Sequence, residues 1–252
     1  RRGGARALDG VSFRLAEGEI SGVIGPNGIR NSTLLKLLSG LERPDAGDIL
    51  LAGRPVGAYR RKELARRLAV LPQDALPPVG FTVREVVEMG RHPYLGWRGD
   101  SEDGARRVAE ALRLMGLAAL AERPVERLSG GERQRVALAK LMAQQPEVLL
   151  LDEPTTYLDI GDQIQIMDAV RKWQREAGLT AVAVLHDLNL AAMYCDRLLL
   201  LHRGRVVCIG TPAEVLTPAR IGEVYGARAA VLAHPKSGVP QLLLESGAAG
   251  EI

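Results

Sequence analysis

A run of four aliphatic residues, Val148 to Leu151, ends in two adjacent carboxylates and a proline, Asp152-Glu153-Pro154. Consecutive aliphatics mark a strand buried on both faces, and open α/β sheets bind ligands beyond the C-terminal ends of such strands. A carboxylate at that edge suits a hard cation, so Asp152 is a candidate to hold Mg²⁺, partly through water. Glu153 is the residue type that polarises a water for in-line attack on a phosphoryl group. A solvated acidic turn after a strand would read the same way, so the pair needs company.

Three further features supply it. Gly25-Pro26-Asn27-Gly28 breaks the buried strand Ile20 to Ile24, and Ser32-Thr33-Leu34-Leu35-Lys36-Leu37-Leu38 starts a helix that Gly40 can cap. A strand, a glycine turn and a helix in that order place backbone N–H groups and a helix N-terminus around a phosphate. In Leu128-Ser129-Gly130-Gly131-Glu132, Ser129 can cap the following helix while Gly130 and Gly131 let backbone amides approach an anion. His186 directly follows the strand Ala181 to Leu185, and Gln73 follows Leu71-Pro72. If those strands lie parallel to the Asp152 strand, both side chains face the same edge.

The elements that must position these residues alternate. Val11 to Leu15 alternates as a strand, a hairpin surrounds Asp48 to Gly53, and a basic helix from Arg61 to Leu68 leads into the strand Ala69 to Leu71. From Asp74 the texture changes: Pro77-Pro78, Gly80, Pro93 and Gly96 punctuate a segment that reads as helical from about Asp103 to Glu122. Val108, Leu112 and Met115 give that helix one apolar face. Residues 74–128 therefore read as a helical insert, and 1–73 with 129–252 as the α/β core. Beyond it a helix through Gln134 to Gln144 is expected, then the Val148 strand, an amphipathic helix carrying Ile164, Met167 and Val170, and the Ala181 strand. Leu188 to Tyr194, a hairpin about Arg203-Gly204, a helical stretch Pro212 to Tyr225 and a polar tail follow. Repeated strand-to-helix order predicts a mostly parallel α/β sheet.

Composition sets the bounds. The 252 residues are 46% hydrophobic, 25% charged and 4% aromatic, which excludes a disordered or collagen-like chain. A net charge of +3 does not demand a nucleic-acid partner, and none is expected. Cys195 and Cys208 lack metal spacing and read as small reduced hydrophobes. No apolar stretch approaches the ~20 residues needed to span a bilayer, and Arg1-Arg2-Gly3-Gly4 introduces no apolar signal core. A cytoplasmic location, with any membrane association made through a partner, is the expectation.

Taken in order, Gly25-Pro26-Asn27-Gly28 with Ser32-Thr33, then Gln73, Leu128 to Gln134, Leu151-Asp152-Glu153-Pro154, Leu158-Asp159 and His186 resemble the motifs of an ATP-binding subunit of an ABC transporter. The resemblance covers nearly the whole chain. Met89 to Gly96, Thr155 to Asp159, Gly210 to Leu216 and the terminal Val231 to Leu244 stretch are similar to the branch that imports iron–siderophore, haem or cobalamin. It implies a P-loop NTPase-type mostly parallel core, an antiparallel β subdomain and a helical insert subdomain. It also implies that ATP phosphates lie on the loop Gly25, Asn27, Gly28, Ile29, Arg30, Asn31, Ser32 and Thr33, with Ser32, Gln73 and Asp152 around Mg²⁺. Glu153 would be the catalytic base and His186 would contact the γ-phosphate. Ser129, Gly130 and Gly131 would close over the ATP of a second copy in a head-to-tail dimer, with Asp159 linking the two sites. The 74–128 insert would receive a polytopic permease subunit, leaving the chain peripheral on the inner face of the membrane.

The phosphate loop departs from the family pattern, which asks for glycine and lysine just before Ser32, where this chain has Arg30 and Asn31. Loss of a charge-assisted hydrogen bond is worth about 1.5–3 kcal/mol, roughly ten- to hundredfold in affinity. Counting back from Leu8-Asp9-Gly10 puts Arg2 where the family usually stacks an aromatic on adenine. Three explanations stand side by side: Arg30 reaches back to supply the charge, the chain is a variant with impaired nucleotide handling, or it is a structural or regulatory module without turnover. A soluble ABC protein acting on ribosomes or DNA fits less well, because such chains usually carry two cassettes or a coiled-coil insertion. Weak or absent hydrolysis is the expectation.

Overall fold

The computed structural model describes residues 8–26, 28–73, 76, 80–96 and 102–246, with the side chains of all of these except 28–30 and 102. The chain runs β1 (Ile20–Ile24), α1 (Gly28–Leu38), the short pair β2 (Leu50–Leu51) and β3 (Arg54–Pro55), α2 (Arg61–Arg67) and β4 (Leu68–Leu71). Then come α3 (Val83–Glu88), α4 (Glu102–Leu114), α5 (Gly130–Gln144), β5 (Val148–Asp152), α6 (Ile160–Ala177), β6 (Thr180–Val184) and α7 (Leu188–Tyr194). The hairpin β7 (Arg197–His202) and β8 (Arg205–Gly210), the helices α8 (Pro212–Val215) and α9 (Pro218–Tyr225), and the hairpin β9 (Ala229–Ala233) and β10 (Pro240–Leu244) complete it.

Six strands form the central sheet in the order β4-β5-β6-β1-β7-β8, the first five parallel and β8 antiparallel to β7. The aliphatic runs explain its burial on both faces, because side chains alternate across a strand. Leu149, Leu151, Ala181, Ala183, Leu198 and Leu200 enter the larger core, which α5, α6 and α7 cover through residues such as Leu138, Met167 and Leu190. Leu150, Val182, Val184, Leu199 and Leu201 enter a smaller core under Leu34 and Leu35 of α1. Each β5, β6 and β7 strand thus divides its residues between two helical layers.

Local signals set the helix ends. Thr82, Ser129 and Thr211 each cap a helix in a reciprocal box with the glutamate three residues on. α3, a 3-10 stretch at Met89–Tyr94 and α4 pack against α5, and Arg91 is buried there with its guanidinium on the Ala143 carbonyl at 2.8 Å.

Several sequence expectations need correction. Val11 to Leu15 joins no ladder; Val11, Phe13 and Leu15 alternate inward onto the smaller core, so the pattern records burial without strand pairing. The helix expected to Glu122 stops at Leu114, because Gly116 turns the chain in the left-handed region at φ +66° and a 3-10 turn follows at Ala118–Leu120. The stretch Pro212 to Tyr225 is two helices, since Pro218 forces Thr217 into an extended conformation that caps the second. α1 begins at Gly28, four residues before Ser32. Cys195 is buried and Cys208 partly so, both free; burial pushes the Cys195 thiol up to about 12.

Candidate functional site

Parallel pairing brings the ends of four strands to one edge. Leu71 pairs with Leu151, Asp152 with Val184, and Val184 with Val23. The residues that follow each strand end therefore emerge side by side: Gln73 after β4, Glu153 after β5, His186 after β6, and the Gly25 turn after β1.

Glu153 is the hub. Its Oε1 lies 2.6 Å from His186 Nε2, and its Oε2 accepts from Gln73 Nε2 at 3.0 Å and from Thr156 Oγ1 at 3.1 Å. Its side chain is 9% exposed while that of His186 is 47% exposed, so the carboxylate forms the floor of the cluster and the imidazole its rim. Glu153 also adopts φ +51°, a left-handed conformation that costs a non-glycine residue of order 1–3 kcal/mol and clusters at functional sites. In the turn that follows, Thr156 N donates to the Glu153 carbonyl at 3.2 Å while its hydroxyl donates to the carboxylate.

Beside the hub, Ser32 Oγ donates to Asp152 Oδ1 at 3.1 Å. Burial pushes the Asp152 carboxyl above its usual range, with Glu153 adding to the rise and the Ser32 hydrogen bond opposing it. A half-buried carboxylate hydrogen-bonded to a hydroxyl offers oxygen to a hard cation. Among the described residues no group of three or more His, Cys, Asp or Glu is placed to hold a metal ion. The two oxygens of the Ser32–Asp152 pair fit Mg²⁺ by their donor chemistry, since that ion is commonly bound through one or two protein oxygens with water and phosphate supplying the rest.

The glycine turn holds against the sheet by close packing. At Gly25, with φ +152°, an added Cβ would stand 2.0 Å from the Leu201 carbonyl oxygen of β7. The first turn of α1 carries no acidic residue, so no carboxylate of its own offsets the positive end of the helix dipole. Thr33 is buried. Asn31, at the position where the loop pattern asks for lysine, is 1% exposed, and its Nδ2 is buried without a hydrogen-bond partner among the described residues. An unmatched amide donor is a costly feature in an apolar interior and an available one beside an anion. Asn27, Arg2 and the side chains of Ile29 and Arg30 lie outside the described residues.

Ser129, Gly130, Gly131 and Asp159 form a second grouping. Ser129 Oγ accepts from Glu132 N at 3.1 Å, and Asp159 Oδ1 accepts from Asp162 N at 2.8 Å to cap α6. The two caps adjoin: a Cβ on Gly131 would stand 2.0 Å from Asp162 Oδ2, and one on Gly130 would meet only Leu158, at 3.7 Å. Tyr157 and Ile160, on either side of Leu158-Asp159, are 93% and 80% exposed.

Sequence reasoning missed two participants. Thr156 was legible only as part of a threonine pair, and neither its hydrogen bond to Glu153 nor the left-handed φ of Glu153 has a sequence mark. Gln134 sat in a motif as one polar helix residue among several. Its Nε2 donates to the Pro154 carbonyl at 2.8 Å, tying α5 to the loop behind Glu153.

The sequence profile of the ABC transporter family matches residues 8–156. The chain is 47% identical over 235 residues to the cobalamin import ATP-binding protein BtuD of Halobacterium salinarum, covering 93% of this chain and 59% of that relative's length. It is 45% identical over 242 residues to the hemin import ATP-binding protein HmuV of Rhodococcus jostii, covering 96% and 82%. Its fold superposes with a TM-score of 0.71, at 31% identity over 82% of this chain and 90% of the other, on an ATP-binding cassette solved as a dimer in a post-hydrolysis state bound to ADP and Pi.

Proposed function

The chain belongs to the ABC transporter family, and from that premise we propose that it is the ATP-binding subunit energising an importer of iron–siderophore, haem or cobalamin. The observation that carries the reading is the convergence of Ser32–Asp152 and Gln73–Glu153–His186 at one sheet edge, beside the N-terminus of α1. The import names of the BtuD and HmuV relatives support the cargo class.

The residues divide the work by chemistry. Backbone amides of the 25–33 loop and of the first turn of α1 hold phosphate oxygens. Ser32, Gln73 and Asp152 would hold Mg²⁺, which when bound would neutralise charge on the phosphates. Glu153 accepts the proton of an attacking water, for which its Oε1 and Oε2 must let go of their present partners. His186, already at the rim, turns from Glu153 to the γ-phosphate as nucleotide enters. Gln73, now on Glu153, would leave it in the same way to help hold the metal. The cluster in its present form is therefore closed on itself, and the triphosphate is what opens it.

A second copy completes the site. Ser129, Gly130 and Gly131 of one protomer close over the nucleotide of the other, and Asp159 lies at the shared face. The exposed Tyr157 and Ile160 flanking it, and the dimeric form of the ADP-bound cassette, support that pairing. The 74–128 insert receives the permease. Among the described residues no helix is long and apolar enough to cross a membrane, consistent with peripheral attachment to the inner face of the membrane through those permease subunits.

Asn31 weakens the motor. A neutral amide stands where the phosphates expect a cation, so this chain binds and hydrolyses ATP weakly. The missing cation at position 31 also favours a second reading, a cassette kept as a structural or regulatory module. Titration with ATP, with and without Mg²⁺, tests both: Mg²⁺-dependent binding supports the motor, and no binding at millimolar nucleotide supports the module.

A further inference from the structure

Three residues beyond His186, the carboxamide of Asn189 makes a two-point contact with the backbone of one residue in the terminal hairpin. Its Oδ1 accepts from Leu242 N at 2.7 Å, and its Nδ2 donates to the Leu242 carbonyl at 3.3 Å. A primary amide presents the same donor and acceptor pair as a peptide group. Asn189 thus mimics a neighbouring strand against the free edge of β10. Leu242 is 6% exposed and pairs with Val231 on β9, so the latched residue belongs to a packed element and not to a loose tail.

The other side of the latch is equally fixed. Asp187, the residue after His186, caps α7 by accepting from Asn189 N at 2.8 Å and Leu190 N at 3.0 Å. The same Asn189 therefore holds the cap through its backbone and the hairpin through its side chain. His186 stands between β6, which is buried throughout, and this pinned first turn, and reaches Glu153 from a half-exposed position. A rim imidazole with so little cover depends on its backbone for direction.

We infer that Asn189 is a positioning residue: by latching the first turn of α7 to β10 it sets the approach of His186 to Glu153, and it makes the terminal hairpin a support of the site. The consequence for turnover rests on the role proposed above for His186, whereas the geometric claim holds without nucleotide.

The test uses the full chain, nucleotide-free and ¹⁵N-labelled. With only four histidines the imidazole spectrum is sparse, and His186→Gln assigns the signal. In Asn189→Ala, Leu242 amide exchange should accelerate about tenfold, the equivalent of one to two net hydrogen bonds. The His186 Nε2 resonance should move most of the way to its position in Glu153→Gln. Asn189→Asp, which keeps the acceptor and loses the donor, should fall between the two and serves in place of Asn189→Ala should that variant not fold. An unchanged His186 resonance with Leu242 deprotected overturns the inference, and so does a Leu242 amide that stays protected. Absence of ATP binding in the unsubstituted chain would instead count against the proposed function and leave this result standing.

Discussion

His186 Nε2 and Glu153 Oε1 stand 2.6 Å apart, joined across the ends of β5 and β6, two parallel strands whose register places Asp152 opposite Val184. Gln73 and Thr156 hold the other oxygen of the same carboxylate. In the nucleotide-free chain three side-chain partners engage this carboxylate, and its proposed role as base requires nucleotide to draw His186 and Gln73 away from it. Glu153→Gln should therefore leave nucleotide affinity within about twofold and lower single-turnover hydrolysis by at least about a hundredfold, the usual worth of a general base. Binding and quenched-flow measurements on the same preparation check the split.

Asp152 carries a cost in the free protein. Burial raises its carboxyl above the ordinary value, so the ionised form opposes folding, and its penalty grows as pH rises through that raised value. Asp152→Asn removes the charge while leaving an acceptor for Ser32. The nucleotide-free variant should melt about 1–3 °C higher than the parent at pH 7 and lose the Mg²⁺ dependence of ATP binding. A lower melting temperature would contradict the burial argument.

Gly130 and Gly131 are neighbours with different constraints. An alanine at Gly131 meets the Asp162 carboxylate at 2.0 Å, and Asp162 is itself held by Arg135 at 3.4 Å. Gly131→Ala should cost about 1–3 kcal/mol as an overpacked contact, whereas Gly130→Ala, whose Cβ would make an ordinary van der Waals contact with Leu158, should stay within about 0.5 kcal/mol in the monomer. Urea midpoints distinguish them.

The acid limit of the fold is written at Asp196. Arg171 contacts both its oxygens, at 2.9 and 2.8 Å, and Ile20 N donates at 2.8 Å. Burial alone would raise this carboxyl, but these contacts outweigh it and hold it below the usual range. Its stabilisation is present above the unfolded value and lost as pH falls through the folded one. Asp196→Asn should lose about 1–3 kcal/mol at pH 7, with the gap to the parent closing below roughly pH 4.

Much of this was legible in the letters. Val148 to Glu153 announced a buried strand with acidic ends, and the spacing of Gln73 and His186 after their own strands placed them at the same edge once the sheet was parallel. Legibility failed where conformation, not residue type, decides. Nothing in the type of Glu153 announces φ +51°, and the alternation of Val11, Phe13 and Leu15 reports an inward face whether or not a partner strand exists. The latch of Asn189 on Leu242 joins residues 53 apart and has no local pattern at all.

Calorimetric titration of MgATP into the parent chain and into Arg30→Gly/Asn31→Lys tests the central claim most directly. If the edge around Ser32, Asp152 and Glu153 is a triphosphate site weakened at Asn31, the double variant should bind about ten- to hundredfold more tightly than the parent and turn over faster. Equal binding by the two chains, or none by either, would contradict it.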